Sequence, residues 1–160
     1  MKILFITLIV IVLIIFLITN YFLELAISSK KDKGDIIKKN ENNKFPFPLS
    51  KDKDFIKKLK NRTKNYKIKS SFDNINLYYY VIENENVNTN KYIVLVHGFN
   101  SNHESLGHFG KIFYDLGYNL ITLDLRGHGK SKANYLGMGI LDAKDLLDVI
   151  LDFNKRNKKK

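Results

Sequence analysis

Two short stretches hold most of the residues that could do chemistry. His97-Gly98-Phe99 follows an apolar run, Tyr92-Ile93-Val94-Leu95-Val96, and Asp124-Leu125-Arg126-Gly127-His128-Gly129-Lys130-Ser131 follows a second, Asn119 to Leu123. Histidine, aspartate and serine could serve acid–base or nucleophilic catalysis, and position decides whether they do. Gly129-Lys130-Ser131-Lys132-Ala133 nearly spells a Gly-x-Ser-x-Gly elbow, but an elbow turns sharply from a strand into a helix, and Ser131 lies several residues past the strand end at Asp124. Ser28-Ser29-Lys30-Lys31 and Ser50-Lys51-Asp52-Lys53 match Ser-x-x-Lys, as chance predicts in so lysine-rich a chain. No catalytic side chain is therefore assigned. His97, His103 and His108 lack a carboxylate or cysteine cluster at ligand spacing, so no metal site is expected. The glycine-rich run has neither Gly-x-Gly-x-x-Gly spacing nor the P-loop Lys-Ser/Thr placement, so no phosphate-binding site and no cofactor are expected. A structural task is left for Asp124 to Ser131: Gly127 and Gly129 permit a tight turn, and Asp124 and Arg126 can bridge neighbouring loops.

The elements that must position these residues follow from periodicity. Both apolar runs are short, β-branched and unalternating, as strands covered on both faces of a parallel sheet read. With a helical segment from Glu104 to Leu116 ending at Gly117, they make a strand–helix–strand unit whose two motifs lie beyond the carboxyl ends of the strands. Tyr66 to Phe72 and Ile75 to Ile82 read as a hairpin around Asp73-Asn74. Tyr78, Tyr79 and Tyr80 could look like a stacking platform, but successive strand residues face opposite sides, so packing is expected and no nucleic acid. Asp52 to Thr63 reads as a short amphipathic helix with Phe55, Ile56 and Leu59 on one face and Ser50 or Asp52 at its start. A last helix runs from Gly139 to Asn154, with Ile140, Leu141, Leu146, Leu147, Ile150, Leu151 and Phe153 marking a broad apolar face.

An apolar strand ending in His-Gly-aromatic, then a helix, then a strand ending in Asp-x-Arg-Gly-His-Gly-x-Ser, resembles the first half of an α/β-hydrolase. Tyr135 to Asp145 resembles the segment opening the next helix in a bacterial, membrane-anchored branch of that family. The likeness covers roughly Tyr66 to Asn154. It implies a partial α/β sheet, an antiparallel hairpin plus parallel strands with flanking helices, in a serine hydrolase acting on an ester, amide or similar acyl substrate. It also implies that the backbone N–H of Phe99, shaped by His97-Gly98, donates to the oxyanion. In that fold the nucleophile elbow, the acid and the base come later, so the chain reads as truncated before the elbow and inactive as a fragment.

The chain has 160 residues, 27 Lys and Arg against 16 Asp and Glu, a net charge of +11 and no cysteine. One domain of ordinary size fits, and neither a disulfide nor a thiolate metal site is possible. Ile3 to Leu23 is almost wholly apolar and uncharged, long enough to cross a bilayer, and no small-x-small cleavage pattern follows it. The expected organisation is an uncleaved membrane anchor over 1–27, a basic linker over 28–50 containing Phe45-Pro46-Phe47-Pro48, and the front half of the hydrolase domain over 51–160. The lysines after the span place the domain in the cytoplasm by the positive-inside rule, whereas the signal-anchor precedent of the resembled branch points outward; the side stays open.

The resembled sheet order is one, two, four, three, five, which leaves the strand Ile93 to Val96 at an open edge here. Two functions of different classes follow. One is the hydrolase, active when complete; the other is a small membrane-tethered, non-catalytic interaction protein or gene remnant, whose open edge could pair with a complementing chain.

Overall fold

The structure, a computed structural model, describes residues 2–28 and 52–158. The expected linker lies outside the described residues apart from Ser28, as do the candidate cap Ser50 and the last two lysines.

Helix α1, Lys2–Ile27, has 26 residues. At about 1.5 Å per residue it is longer than the roughly 30 Å hydrocarbon layer. Three of its polar side chains close on the helix's own backbone. Thr7, Thr19 and Asn20 donate to the carbonyls of Ile3, Ile15 and Phe16 at 2.9, 2.7 and 2.8 Å. A helix in lipid must close its polar groups internally in this way, because nothing else there can.

The domain is built on a four-stranded sheet. Strands β1, Lys64–Lys69, and β2, Asn76–Ile82, form the hairpin; β3 is Tyr92–Val96 and β4 Asn119–Asp124. The order is β1-β2-β4-β3, with β2 antiparallel to both β1 and β4, and β3 parallel to β4. All six residues of β4 are buried, which is why its sequence does not alternate. β3 is the edge, and Val96 is 43% exposed there.

Helices cover both faces. On one side Phe55 and Ile56 of α2, Phe55–Lys58, pack with Leu106 and Tyr114 against Ile82, Leu95 and Leu120; Tyr114 belongs to α3, Gly107–Asp115, which a 3-10 turn from His103 to Leu106 precedes. On the other side Val149 of α4, Ile140–Asn157, packs against Tyr79, Val81, Ile121 and Leu123. Tyr79 and Tyr80 thus face opposite sides, as alternation requires. The Tyr79 hydroxyl donates to Asp152 of α4 at 2.7 Å, whereas Tyr80 points toward Asp124. The α3 helix stops at a left-handed Gly117, φ +87°.

Two local expectations change. The helix expected over Asp52 to Thr63 is only four residues long and gives way to a 3-10 turn, Lys60–Arg62, because the chain must extend into β1 at Lys64. The residue at its cap position is Asp54, and Asp52 accepts from Lys58 at 2.8 Å. The apolar face of α4 is wider than the sheet it covers: Leu146, Ile150 and Phe153 are half-buried, but Ile140, Leu147 and Leu151 are 75, 55 and 57% exposed.

Candidate active-site edge

The carboxyl ends of β3 and β4 lie side by side, and each sends a histidine across to the other's loop. His97, at the end of β3, is buried; its Nδ1–H donates to the Gly98 carbonyl at 2.7 Å and its Nε2 accepts the Leu125 N–H at 3.0 Å. Reciprocally, His128 donates from Nδ1 to the Arg126 carbonyl at 3.0 Å and accepts the Asn100 N–H on Nε2 at 3.2 Å. One ring nitrogen donates and the other accepts in each case, which requires neutral imidazole. Burial pushes the His97 pKa below the usual histidine value and so keeps that form. The two rings meet edge to face, 5.1 Å apart. Between these clamps the loop runs Gly98-Phe99-Asn100. Asn100 takes the left-handed region at φ +57°, which asparagine tolerates, and the Phe99 side chain is 57% exposed with its ring edge toward His128.

Asp124 is the hub of the next layer. One carboxylate oxygen accepts the His103 N–H at 3.0 Å and its ring Nδ1–H at 2.8 Å; the other accepts the Tyr80 hydroxyl and the Lys130 N–H, both at 2.9 Å. Burial alone would raise this carboxyl, but the hydrogen bonds from His103 and Lys130 outweigh it and hold the pKa at about 2. Burial, reinforced by the Asp124 charge, pushes the Tyr80 phenol well up. The His103 ring stacks on Tyr80 with centroids 3.6 Å apart. Gly129 closes over the carboxylate: at φ +47°, a Cβ there would lie 2.3 Å from Asp124. Gly127, at φ +75°, makes the turn that precedes it.

Arg126 is wholly buried. Its Nε and Nη2 donate to the two oxygens of Asp145 at 2.8 Å each, and Nη1 donates to Asp73 at 2.8 Å. Ser70 shares the network by donating to Asp145, and Tyr135 by donating to Asp73. Although burial opposes a charged guanidinium, the two carboxylates push its pKa up. This one side chain therefore ties the β4 loop to the hairpin turn and to α4. Ser131 is fully buried and its Oγ accepts the Tyr78 N–H at 2.9 Å, so it is a backbone tie and presents no nucleophile.

The residues singled out from sequence thus lie at one edge. Asp73, Asp145 and Ser70, which complete the Arg126 network, were not among them. A buried arginine demands counter-charges, but nothing local says which distant carboxylates supply them. Among the described residues, no group of three or more His, Cys, Asp or Glu is placed to hold a metal ion. What the edge can do chemically is hold a main-chain loop in one conformation with neutral donors and acceptors. A cavity of about 640 Å³ lined by Asn84, Asn119 and Phe153 lies at the opposite edge.

The family described as Serine aminopeptidase, S33, matches residues 88–158, which span β3 through α4. No curated protein matches the chain. Among solved structures, an esterase of Pyrococcus furiosus resembles it in two crystal forms. The first has 27% identity over 55% of this chain and 34% of the esterase, with a TM-score of 0.46; the second has 29% identity over 52% and 32%, with a TM-score of 0.43. The chain therefore spans about a third of the length of that esterase. With β3 and β4 parallel, the hairpin beside them, helices on both faces and the family match running from strand to helix across the two motifs, this chain is similar to part of an α/β-hydrolase.

Proposed function

We propose that the chain supplies the oxyanion side of a serine hydrolase acting on an ester, amide or similar acyl substrate, tethered to a membrane by α1. The observation that carries this reading is the reciprocal clamp of His97 on Leu125 and His128 on Asn100, which holds Gly98 and Phe99 rigid at the carboxyl edge. Hydrolysis of an acyl group builds negative charge on the carbonyl oxygen. A main-chain N–H fixed in advance stabilises that charge without reorganising, and one such donor is typically worth about 3 kcal/mol. In this reading Phe99 provides the N–H. Its neighbours need no charge, and the neutral state of the two histidines suits that task. The reading assigns no nucleophile, acid or base among the described residues, since Ser131 is buried on the Tyr78 N–H.

The test is labelling with a fluorophosphonate, which reports only an activated serine. The expected result is labelling of the whole protein in its native membrane and none of the purified 160-residue chain. An unlabelled whole protein would sink the hydrolase reading.

A second reading has its own observation. Among the described residues no strand pairs with the outer side of β3, and exposed Phe109 and Ile112 of α3, Leu116 just after it, and Leu147 and Leu151 of α4 stand on the two helices. An edge strand with apolar helix faces fits a complementing chain that adds a parallel strand. Cross-linking from a cysteine at Val96 to a co-purifying chain, with no fluorophosphonate labelling in any form, would favour this non-catalytic role.

A further inference from the structure

The end of α1 is joined to the candidate edge. The Leu136 N–H donates to the Ile27 carbonyl at 2.8 Å, and Ser28 bridges Tyr135 as an antiparallel pair. Residues 2–24 are all exposed, whereas Leu25, Ile27 and Ser28 are half-buried, so the helix projects away and only its last turn touches the domain. Its contact is the loop that follows Ser131. Tyr135 in that loop and Phe72 in the hairpin turn both lie over the Arg126 guanidinium, at 5.6 and 6.0 Å. Arg126 stands two residues from His128, which holds Asn100. The helix exit and the oxyanion loop are thus two parts of one edge.

That edge has an unusual surface for water. Phe72, Phe99, Met138 and Ile140 are 54, 57, 62 and 75% exposed. Lysines stand among them: Lys69 and Lys132 are exposed, and the Lys144 Nζ sits 4.7 Å from the Phe72 ring centroid. Large apolar side chains rimmed by lysine match the headgroup boundary of a bilayer, where rings and aliphatic chains enter the acyl region and ammonium groups meet phosphate.

We infer that the carboxyl edge of the sheet rests on the headgroup layer of the membrane that α1 crosses, with Met138 and Ile140 inserted and Lys69, Lys132 and Lys144 on anionic phosphates. The occupant of this apolar patch is the lipid surface, because the patch is continuous with the point where α1 leaves the domain. The oxyanion loop then meets acyl groups presented from the lipid layer, and the substrate is an amphiphile. This inference rests on the anchor reading of α1 and deepens the hydrolase one.

The chain has no cysteine, so each introduced one is unique. Single variants I140C and M138C, with N88C at the opposite edge as reference, are nitroxide-labelled in the full chain. They are reconstituted into phosphatidylcholine vesicles with and without phosphatidylglycerol, and collision with oxygen is compared with collision with a water-soluble nickel chelate. The expected result is that labels at 138 and 140 favour oxygen and at 88 the chelate, with the contrast deepening in phosphatidylglycerol. Aqueous labels at all three positions would overturn the docked edge. Carbonate washing separates the causes. If the chain resists extraction while 138 and 140 remain aqueous, the anchor stands and the docking falls. If carbonate releases the chain, the anchor reading itself falls and takes the inference with it.

Discussion

The Nε2 atom of His128 accepts the main-chain N–H of Asn100 at 3.2 Å, so the loop after β3 takes its shape from a side chain in the loop after β4. Removing the acceptor leaves that N–H to find water or stay unpaired. For H128A the expected result is a loss of about 1 kcal/mol in stability and an Asn100 amide that exchanges roughly five- to tenfold faster, read by hydrogen exchange in detergent-solubilised chain. Unchanged exchange at Asn100 would show that the loop holds itself.

Arg126 faces Asp145 and Asp73 with no water-accessible surface. Replacing it by methionine keeps much of the volume but strands two carboxylates, and breaking a buried ion pair from one side typically costs about 3–5 kcal/mol. R126M is expected to unfold at far lower urea than the parent. The triple variant R126M/D73N/D145N should recover part of the loss, because the uncompensated charges are then gone.

Acid should destabilise the fold in two steps. His97 has its pKa lowered from the ordinary 6.5 mainly by burial, so the folded state prefers the neutral ring. That contribution is full above pH 6.5 and is lost as pH falls through the lowered value. Asp124 is held at about 2 against 3.8, which corresponds to about 2 kcal/mol present above pH 4 and lost as pH falls toward 2. Asp73 is lowered too, burial being outweighed by Tyr135 and Arg126, and adds to the second step. Urea midpoints measured from pH 7.5 to 2.5 check this; H97Q should abolish the first step and spare the second.

Ser131 separates a structural serine from a catalytic one. S131A removes the acceptor for the Tyr78 N–H, which should lower stability by about 1–3 kcal/mol while leaving fluorophosphonate labelling of the whole protein unchanged. Loss of labelling in a variant that is still folded would make Ser131 the nucleophile.

G129A tests the closest approach at the edge. The residue sits at φ +47° with its would-be Cβ 2.3 Å from the Asp124 carboxylate, and neither the backbone nor that fourfold-bonded group can yield cheaply. The expected outcome is a melting temperature lower by several degrees, the loss being larger at pH 7 than at pH 3, where Asp124 begins to release its partners.

Sequence alone determined the strands and the long helices of this protein, because their causes are local. The unalternating runs 92–96 and 119–123 had to be strands covered on both faces; the alternation of Tyr78 to Tyr80 turned Tyr79 and Tyr80 to opposite sides of the sheet; and the stretch Ile3 to Leu23 could only be an apolar helix. The two strand-end motifs also carried the resemblance to an α/β-hydrolase, since their spacing is chemical punctuation at a sheet edge. Tertiary structure alone decided what those motifs touch. Nothing near Arg126 names Asp73 or Asp145 as its partners, nothing near His97 names the Leu125 N–H, and nothing near Ile27 names Leu136. Each pair is joined by the fold across dozens of residues, and a side chain's protonation, tautomer and burial depend on neighbours that only the folded chain brings together.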